Sequence, residues 1–333
     1  MTLQGKTILV TGGAGFIGSH VVERLAAEDP ARVIVVDDCF LGAPDNLDTA
    51  RLLLGDRLRC HWQDAGDFDA MRAILDAEPV DVVYNMAVIP LPTSLERPKW
   101  TAEKNVVLTT TICELQREGR FQTLIHFSSS EVYGTAQYVP IDEGHPYVPS
   151  TPYAASKLAT DYVALSYRHT FGLDIAVIRP FNNYGPRQNS GSYAGIIPIV
   201  VTRVLAGTPI AIFGDGLQTR DFIFVRDTAE AAVRVYREPR ARGRVVNIAT
   251  GRECTVNDLV ARLLHALGAD THPVVHVEPR LGDVRRHLAG TALAAELLDF
   301  TATTPLEDGL TQTVQWYLTH LSRRDPAAVP AGQ

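Results

Sequence analysis

Short runs of apolar residues alternate with longer amphipathic segments through the first half of the chain. The apolar runs are rich in valine and isoleucine, as is typical of parallel strands buried on both faces. Regular alternation of strand and helix indicates βαβ units, so we expect an α/β fold with a doubly wound parallel sheet. The predicted strands are 6–12, 32–38, 58–62, 81–87, 123–129 and 174–180. The predicted helices are 16–28, 67–77, 103–118 and 152–170.

This rhythm changes after residue 180, where proline and glycine become frequent and strands and helices mix less regularly. We therefore predict a nucleotide-binding domain over 1–180 and a smaller mixed α/β lobe for the substrate over 181–323. Segments near 220–248 are candidates to return to the first domain. Residues 324–333 are rich in alanine and proline and predict a flexible tail.

Composition narrows the functional classes. The net charge is −7 and the pI about 5.8, which argues against a nucleic-acid binder because such proteins are usually basic. No apolar run reaches the length of a membrane span and no cleavage signal follows the start, so we expect a cytoplasmic protein with no membrane partner. None of the four cysteines forms a C-x-x-C pair and no metal signature occurs, so no metal site is predicted.

A glycine-rich turn joins the first predicted strand to the first helix. In TGGAGFIGSH (11–20), Gly12, Gly15 and Gly18 follow a G-x-x-G-x-x-G spacing, with Phe16 and Ile17 between the last two. Glycine lets the backbone turn tightly and approach a pyrophosphate, whose charge then rests on the helix N-terminus. In this strand–turn–helix setting the motif indicates a Rossmann-type dinucleotide site.

Acidic residues come after the second and third strands. Asp37 lies nineteen residues after Gly18, where a carboxylate accepts hydrogen bonds from the adenosine ribose. Because a carboxylate repels a 2′-phosphate, we expect NAD rather than NADP. Asp38 either shares this role or is a turn residue, and Asp64 either reaches the adenine or has no role.

Two further motifs carry candidate chemistry. Tyr153 and Lys157 are four residues apart and so share one helix face. A neighbouring ammonium favours the phenolate, so we expect Lys157 to lower the tyrosine pKa from about 10 towards neutrality and make Tyr153 a general base. HFSSSEVYG (126–134) places Ser129, Ser130 and Glu131 at the end of the fifth strand, where parallel sheets bind ligands.

Taken together, TGGAGFIG, Asp37, SSSEVYG and YAASK resemble the extended short-chain dehydrogenase/reductase superfamily of nucleotide-sugar enzymes. The resemblance covers about residues 5–320 and continues in RPFNNYGPRQ, FGDGLQTRDFIFVRD and RLGDVRR. It implies that Tyr153 removes the proton of the sugar O4 while hydride leaves C4 for NAD, that Lys157 holds the nicotinamide ribose, and that Ser129 bonds near O4.

The same resemblance implies a grip on the nucleotide diphosphate by Asn182, Arg220 and Arg280, since arginine donates in a two-point fork. It also implies a homodimer, because the helices near 103–118 and 152–170 resemble the pair that forms a four-helix interface in this superfamily. These helices are equally consistent with packing inside one chain.

The step after C4 oxidation depends on residues 129–131. UDP-galactose 4-epimerases need no acid there, and dTDP-glucose 4,6-dehydratases carry an aspartate at the place of Ser130. A Ser-Glu pair before Val-Tyr-Gly is similar to UDP-glucuronate decarboxylases and to GDP-mannose-type 4,6-dehydratases, in which Glu131 serves chemistry at C5. Because Arg285 or Arg286 is a candidate partner for a uronate carboxylate, our first interpretation is decarboxylation of UDP-glucuronate. Dehydratase and epimerase stay open as alternatives.

Overall fold

A computed structural model describes residues 1–191, 194–279 and 284–321. The strands in this part of the chain are β1 (Thr7–Thr11), β2 (Arg32–Val36), β3 (Leu58–His61), β4 (Val82–Asn85), β5 (Thr123–Phe127), β6 (Asp174–Pro180), β7 (Asn182–Tyr184), β8 (Ile210–Phe213), β9 (Thr219–Arg220), β10 (Phe222–Phe224), β11 (Val245–Ile248), β12 (Cys254–Thr255) and β13 (Val274–Val277). The helices are α1 (Phe16–Ala26), α2 (Asp48–Leu54), α3 (Phe68–Ala77), α4 (Leu91–Glu96), α5 (Pro98–Arg117), α6 (Pro152–Phe171), α7 (Ile196–Leu205), α8 (Val225–Arg237), α9 (Val256–Ala266), α10 (Ala292–Leu298) and α11 (Leu306–Leu321).

Seven strands form one parallel sheet in the order β11-β6-β5-β4-β1-β2-β3. The order reverses beside β1, because β2 and β3 continue to one side of it and β4 to β6 to the other. Ligands of open parallel sheets bind at such a switch point, outside the carboxyl ends of the strands. The predicted doubly wound α/β fold is confirmed.

Each strand of the sheet contributes to two cores, because successive side chains point to opposite faces. Ile8 and Val10 of β1 pack in one core, which includes residues of α1 and α8. Leu9 packs in the other, with residues of α3 and α5. Burial on both faces explains why these strands have continuous apolar sequences rather than an alternating pattern.

Two elements between residues 220 and 248 contact elements of the first half of the chain. Helix α8 packs against α1, and β11 pairs with β6 at the edge of the sheet. A third core, formed by residues of α7, α9 and α11 with β8 and β10, lies in the second half of the chain. The boundary at residue 180 stays a prediction, and the predicted tail 324–333 lies outside the described residues.

Three helices begin at residues that are suited to a helix N-terminus. The Asp67 carboxylate accepts a hydrogen bond from the Ala70 N–H at the start of α3, and the Thr151 hydroxyl accepts one from Ala154 at the start of α6. Helix α5 begins at Pro98, five residues before the predicted start. Proline suits the first turn of a helix because the N–H it lacks has no partner there.

Helices α5 and α6 pack on each other within the chain, while Val107 and Tyr162 on them are 44% and 58% exposed. This arrangement accounts for part of their apolar surface without a second subunit, and the homodimer stays a prediction. Among the residues that the structure describes, no helix is both long and apolar enough to cross a membrane.

The sheet core gives a first testable prediction. Ile34 on β2 is fully buried, so Ile34→Ala leaves a cavity and should lower the free energy of unfolding by about 2–5 kcal/mol. Leu52→Ala is the control, because Leu52 on α2 is 87% exposed and its truncation should change the free energy by less than ~0.5 kcal/mol. Urea unfolding followed by circular dichroism measures both values. Equal losses for the two variants would contradict the buried position of β2.

Candidate active site

A cavity of about 380 Å³ opens at the carboxyl ends of the sheet strands. Its volume lies within the roughly 300–1,000 Å³ typical of ligand sites. Its walls come from the segments after β1 to β6, as expected for a parallel sheet. Sequence-predicted residues that line it are Gly12, Gly15, Phe16, Ile17, Gly18, Asp37, Asp38, Asp64, Ser129, Tyr153 and Lys157.

The glycine turn is tightly packed. Gly12 has φ +68°, and a Cβ there would lie 2.8 Å from the backbone nitrogen of Ala87. A Cβ at Gly18 would overlap the carbonyl oxygen of Gly12. The turn therefore excludes side chains at both positions, and α1 begins beside the cavity with Gly15 as its N-cap residue. The N–H groups at the start of a helix suit a phosphate.

Two carboxylates lie just beyond β2. Asp37, 7% exposed, accepts hydrogen bonds from the N–H groups of Ala14 at 2.9 Å and Cys39 at 2.8 Å. Burial raises the pKa of Asp37, and these bonds oppose the rise. Asp38 accepts a bond from the Phe40 N–H at 3.0 Å. The glycine turn, which has no room for side chains, and the carboxylate at the end of β2 together fit NAD. The ribose contact of Asp37 stays a prediction.

Asp64 lines the cavity with both carboxylate oxygens already bonded. Its Oδ1 accepts a hydrogen bond from Gly66 N–H at 2.7 Å, and its Oδ2 forms an ion pair with Lys104. Lys104 also lines the cavity, although sequence reasoning missed it. Its position on α5, forty residues from Asp64, has no local signal that links the two. The adenine contact of Asp64 stays a prediction.

Tyr153 and Ser129 meet at the cavity wall. Tyr153 is in the first turn of α6, and Ser129 caps the 3-10 turn Ser130–Tyr133 that comes after β5. Their side chains are hydrogen bonded, and this bond favours the phenolate. Burial outweighs it and raises the pKa of Tyr153 to about 12, with further increases from the negative charges of Glu131 and Asp161.

Lys157 does not act on Tyr153 as expected from the sequence. Its buried ammonium donates to the carbonyl oxygen of Phe127 at 2.6 Å, and burial lowers its pKa to about 8. The expectation that Lys157 by itself brings the tyrosine pKa towards neutrality is therefore wrong. The shared helix face is correct, but spacing alone does not show where an ammonium points or how deeply a phenol is buried.

A buried polar network behind these residues was also missed. Asp161, one turn beyond Lys157 on α6, accepts hydrogen bonds from Ser128 Oγ at 2.6 Å and Arg179 at 2.7 Å. Arg179 is fully buried and lies over the rings of Tyr133 and Tyr147. The four-residue spacing of Lys157 and Asp161 was a usable signal, because it places them on one helix face.

Ser130 and Glu131 differ in exposure. Ser130 is 3% exposed, and its carbonyl lies 3.2 Å from His287 Nε2. Glu131 is half-buried and near enough to Tyr153 for its charge to raise the phenol pKa. Neither residue is among those that line the cavity, and the catalytic role of Glu131 stays a prediction.

Two of the predicted diphosphate contacts, Asn182 and Arg220, are not among the described residues that line this cavity. Asn182 Nδ2 lies 3.4 Å from His287 Nδ1, and Arg220 donates to the carbonyl of Val284 at 2.6 Å. Arg285 forms a two-point ion pair with Asp215, at 2.7 and 3.0 Å. Arg280 lies outside the described residues. The structure brings Asn182 and Arg220 together around His287, which sequence reasoning missed.

The described residues were also compared with the requirements of a metal site. In residues 1–191, 194–279 and 284–321, no group of three or more histidine, cysteine, aspartate or glutamate side chains is arranged to hold a metal ion.

Comparison with known proteins agrees with this geometry. Residues 8–249 match the model of the NAD dependent epimerase/dehydratase family. A UDP-glucose 4-epimerase of Mycolicibacterium smegmatis is 36% identical over 310 residues, which are 93% of this chain and 97% of that protein. A dTDP-glucose 4,6-dehydratase of Streptomyces griseus is 35% identical over 329 residues, 98% of each chain.

Solved structures with a similar fold include a 4-epimerase and a 4,6-dehydratase. A Thermotoga maritima UDP-glucose 4-epimerase with UDP-glucose superposes with a TM-score of 0.88 at 33% identity, covering 95% of this chain and 99% of that one. A Streptomyces venezuelae dTDP-glucose 4,6-dehydratase with NAD bound gives 0.89 at 33% identity, covering 96% and 99%. The resemblance read from the motifs is confirmed, and so is NAD as the cofactor.

The packed glycine turn gives a second prediction. In Gly18→Ala the new methyl group overlaps the Gly12 carbonyl, so the turn must open and the Kd for NAD should rise by at least about tenfold, or ~1.4 kcal/mol. Gly144→Ala is the control, because its nearest neighbour would be the Asp142 carboxylate at 3.4 Å, an ordinary contact. Isothermal titration calorimetry measures both. Unchanged NAD binding by Gly18→Ala would contradict the cradle.

Proposed function

The chain belongs to the NAD-dependent epimerase/dehydratase family, and from this membership we propose that it oxidises the sugar of a nucleotide sugar at C4 and then uses Glu131 at C5. The observation that carries the proposal is the hydrogen bond between Tyr153 and Ser129 at the wall of the cavity that contains the glycine turn, with Glu131 near enough for its charge to act on the phenol. The enzyme is NAD-dependent, and bound NAD supplies the acceptor for the hydride that leaves C4.

Tyr153 is the proposed base for the first step. As the C4–H bond breaks, the O4 hydroxyl must lose its proton, and the phenol oxygen is the group at the cavity wall that can take it. The hydrogen bond with Ser129 stabilises the phenolate, opposing the burial that raises the pKa to about 12. Because general-base activity requires the phenolate, we infer that the ligand-bound site lowers this pKa further.

Lys157 is proposed to hold a ribose hydroxyl of the cofactor and to keep a positive charge near the phenol. Its bond to the Phe127 carbonyl fixes the ammonium at the end of β5. Since burial brings its pKa to about 8, the charge is present at neutral pH and is lost as the pH rises above that value.

Glu131 is proposed to move a proton at C5, which becomes acidic once C4 is a ketone. As a base it takes the C5 proton, and as the resulting acid it protonates the C6 hydroxyl, which leaves as water. The hydride taken from C4 then returns to C6 from the bound cofactor, and C5 is reprotonated. In a uronate, by contrast, the bond from C5 to the carboxylate breaks, CO2 leaves, and C5 is reprotonated. Both outcomes need an acid–base group beside Tyr153, where the charge of Glu131 acts.

The loss of water is better supported than the loss of CO2. Our interpretation as a UDP-glucuronate decarboxylase used Arg285 as a partner for the sugar carboxylate, but Arg285 is paired with Asp215, and Arg286 forms a similar two-point pair with Glu253. The 35% identity to a dTDP-glucose 4,6-dehydratase over 98% of the chain fits dehydration, although Ser130 stands where that subgroup carries an aspartate. Decarboxylation stays a prediction with less support.

A C4-epimerase is the second candidate, because a UDP-glucose 4-epimerase is 36% identical over 93% of the chain. Its reaction returns the hydride to the other face of the same ketone, so it needs no group at C5. The role of Glu131 therefore separates this candidate from the first.

Replacement of the phenol tests the first step. Tyr153→Phe removes the proton acceptor and should reduce turnover on the order of 10²–10⁴-fold, with NAD binding unchanged. Tyr162→Phe is the matched control, because Tyr162 lies on the same helix but is 58% exposed, and it should keep full activity. Steady-state rates and NAD titrations are measured for both. Wild-type turnover by Tyr153→Phe would remove Tyr153 from the role of base.

Replacement of the glutamate tests the second step. The protein is incubated with UDP-, dTDP- and GDP-sugars, including UDP-glucuronate, and the products are identified by mass. We expect the wild type to yield a product that has lost water, and Glu131→Gln to slow that loss by about 10²-fold while still oxidising C4. Glu103→Gln, on an exposed face of α5, is the control. Loss of CO2 would establish decarboxylation, and an unchanged mass with equal rates in Glu131→Gln would favour the epimerase.

A further inference from the structure

A short segment from the second half of the chain forms part of the dinucleotide cavity. Arg187, Gln188 and Asn189 come after β7 and line the same cavity as the glycine turn. We refer to residues 186–189 as the strap. The strap and the start of α1 therefore contribute to the same cavity.

The strap is held to α1 by the side chain of Arg187. Its guanidinium forms an ion pair with the Glu23 carboxylate and donates to the Ser19 hydroxyl at 3.3 Å. Both charged side chains are mostly buried, with 13% of Arg187 and 17% of Glu23 exposed. Water therefore screens this pair less than it screens a surface ion pair.

The backbone of Arg187 is strained. Its φ is +68°, a region that residues with a Cβ rarely adopt. Such a conformation persists only where surrounding contacts maintain it. The side-chain contacts of Arg187 with Ser19 and Glu23 connect the strap to α1, so they are well placed to maintain this conformation.

Two further hydrogen bonds hold the strap, one from α1 and one from α11. The carbonyl of Pro186 lies 3.0 Å from Nε2 of His20 on α1. His20 is buried, and burial lowers its pKa to about 3, so the ring is neutral and Nε2 donates at physiological pH. On the other side, the Tyr317 hydroxyl donates to the carbonyl of Gln188 at 2.5 Å. The Glu23 bond is thus the charged member of a set that fixes the strap.

We propose that the Glu23–Arg187 ion pair is a clasp that retains NAD, because the strap must separate from α1 before the dinucleotide can leave. Glu23 is not among the residues lining the cavity, so it acts through Arg187 and is a positioning residue. The proposal rests on NAD as the cofactor and not on the proposed sugar chemistry.

The release rate of the dinucleotide distinguishes a clasp from a purely electrostatic role of Glu23, because removal of the acid changes the rate in opposite directions in the two cases. Glu23 neutralises the Arg187 guanidinium, which lines the cavity. If charge alone mattered, removal of the acid would leave an uncompensated cation near an anionic dinucleotide and slow its release. If the clasp controls release, the same change frees the strap, and both the release and the entry of the dinucleotide become faster.

The experiment measures dissociation directly. Protein loaded with NADH is mixed with a large excess of NAD in a stopped-flow instrument, and the fall in NADH fluorescence gives the release rate. We expect Glu23→Gln to raise this rate by about tenfold. Glu230→Gln is the matched control, because it removes an ion pair that Arg24 of α1 makes with α8 and should change the rate by less than about twofold.

A double-mutant cycle tests whether Glu23 works through Arg187. Adding Glu23→Gln to Arg187→Gln should leave the release rate of Arg187→Gln unchanged. Thermal unfolding of the cofactor-free variants establishes that each is folded. An unchanged or slower release in Glu23→Gln, or an additive effect in the double variant, overturns the clasp. Because no sugar is present, these outcomes are independent of the turnover experiments.

Discussion

The buried ion pair between Asp161 and Arg179 is the interaction on which the geometry of the site depends. Asp161 is on α6, Arg179 is on β6, and the Ser128 hydroxyl at the end of β5 bonds to the same carboxylate oxygen as Arg179. A buried charge without its partner is strongly unfavourable, so these groups must come together if the chain is to fold. When they do, the helix is placed against the ends of two adjacent strands.

That placement positions the rest of the site. Asp161 fixes α6 at a point one turn beyond Lys157. The Lys157 ammonium then reaches the Phe127 carbonyl, and Tyr153 at the start of the helix is hydrogen bonded to Ser129. Burial then dominates the pKa of both reactive groups. A pKa of about 12 keeps the Tyr153 phenol protonated at neutral pH, and a pKa of about 8 leaves Lys157 charged but close to losing its proton. Bound ligands must therefore complete the electrostatics of the site.

Local patterns were sufficient for six of the seven sheet strands and for the glycine turn, because strand burial and the exclusion of a Cβ at Gly18 are properties of short segments. The edge strand β11 was anticipated only as part of the segment near 220–248. The short helices α2 and α4 were not predicted, since too few residues carry their periodicity. The start of α5 at Pro98 was missed for a different reason, because its first turn lacks an apolar stripe. The ion-pair partners of charged residues could not be predicted from the sequence. No local pattern links Arg285 to Asp215, seventy residues earlier, or Lys104 to Asp64.

The turn after β5 is held from two sides, by the sheet and by the second half of the chain. On the side away from the sheet, His287 contacts the Ser130 carbonyl, the Ala136 N–H donates to the Arg286 carbonyl, and the Ile141 N–H donates to the Leu288 carbonyl. The sheet therefore supports Ser129 and Tyr153, to which we assign the proposed C4 step, while the segment after residue 284 supports the stretch that carries Glu131. A UDP-glucose 4-epimerase and a dTDP-glucose 4,6-dehydratase both superpose on this fold, so the fold alone does not decide between the two reactions. Under the proposed roles, that decision depends on the stretch that carries Glu131, where the two halves of the chain meet.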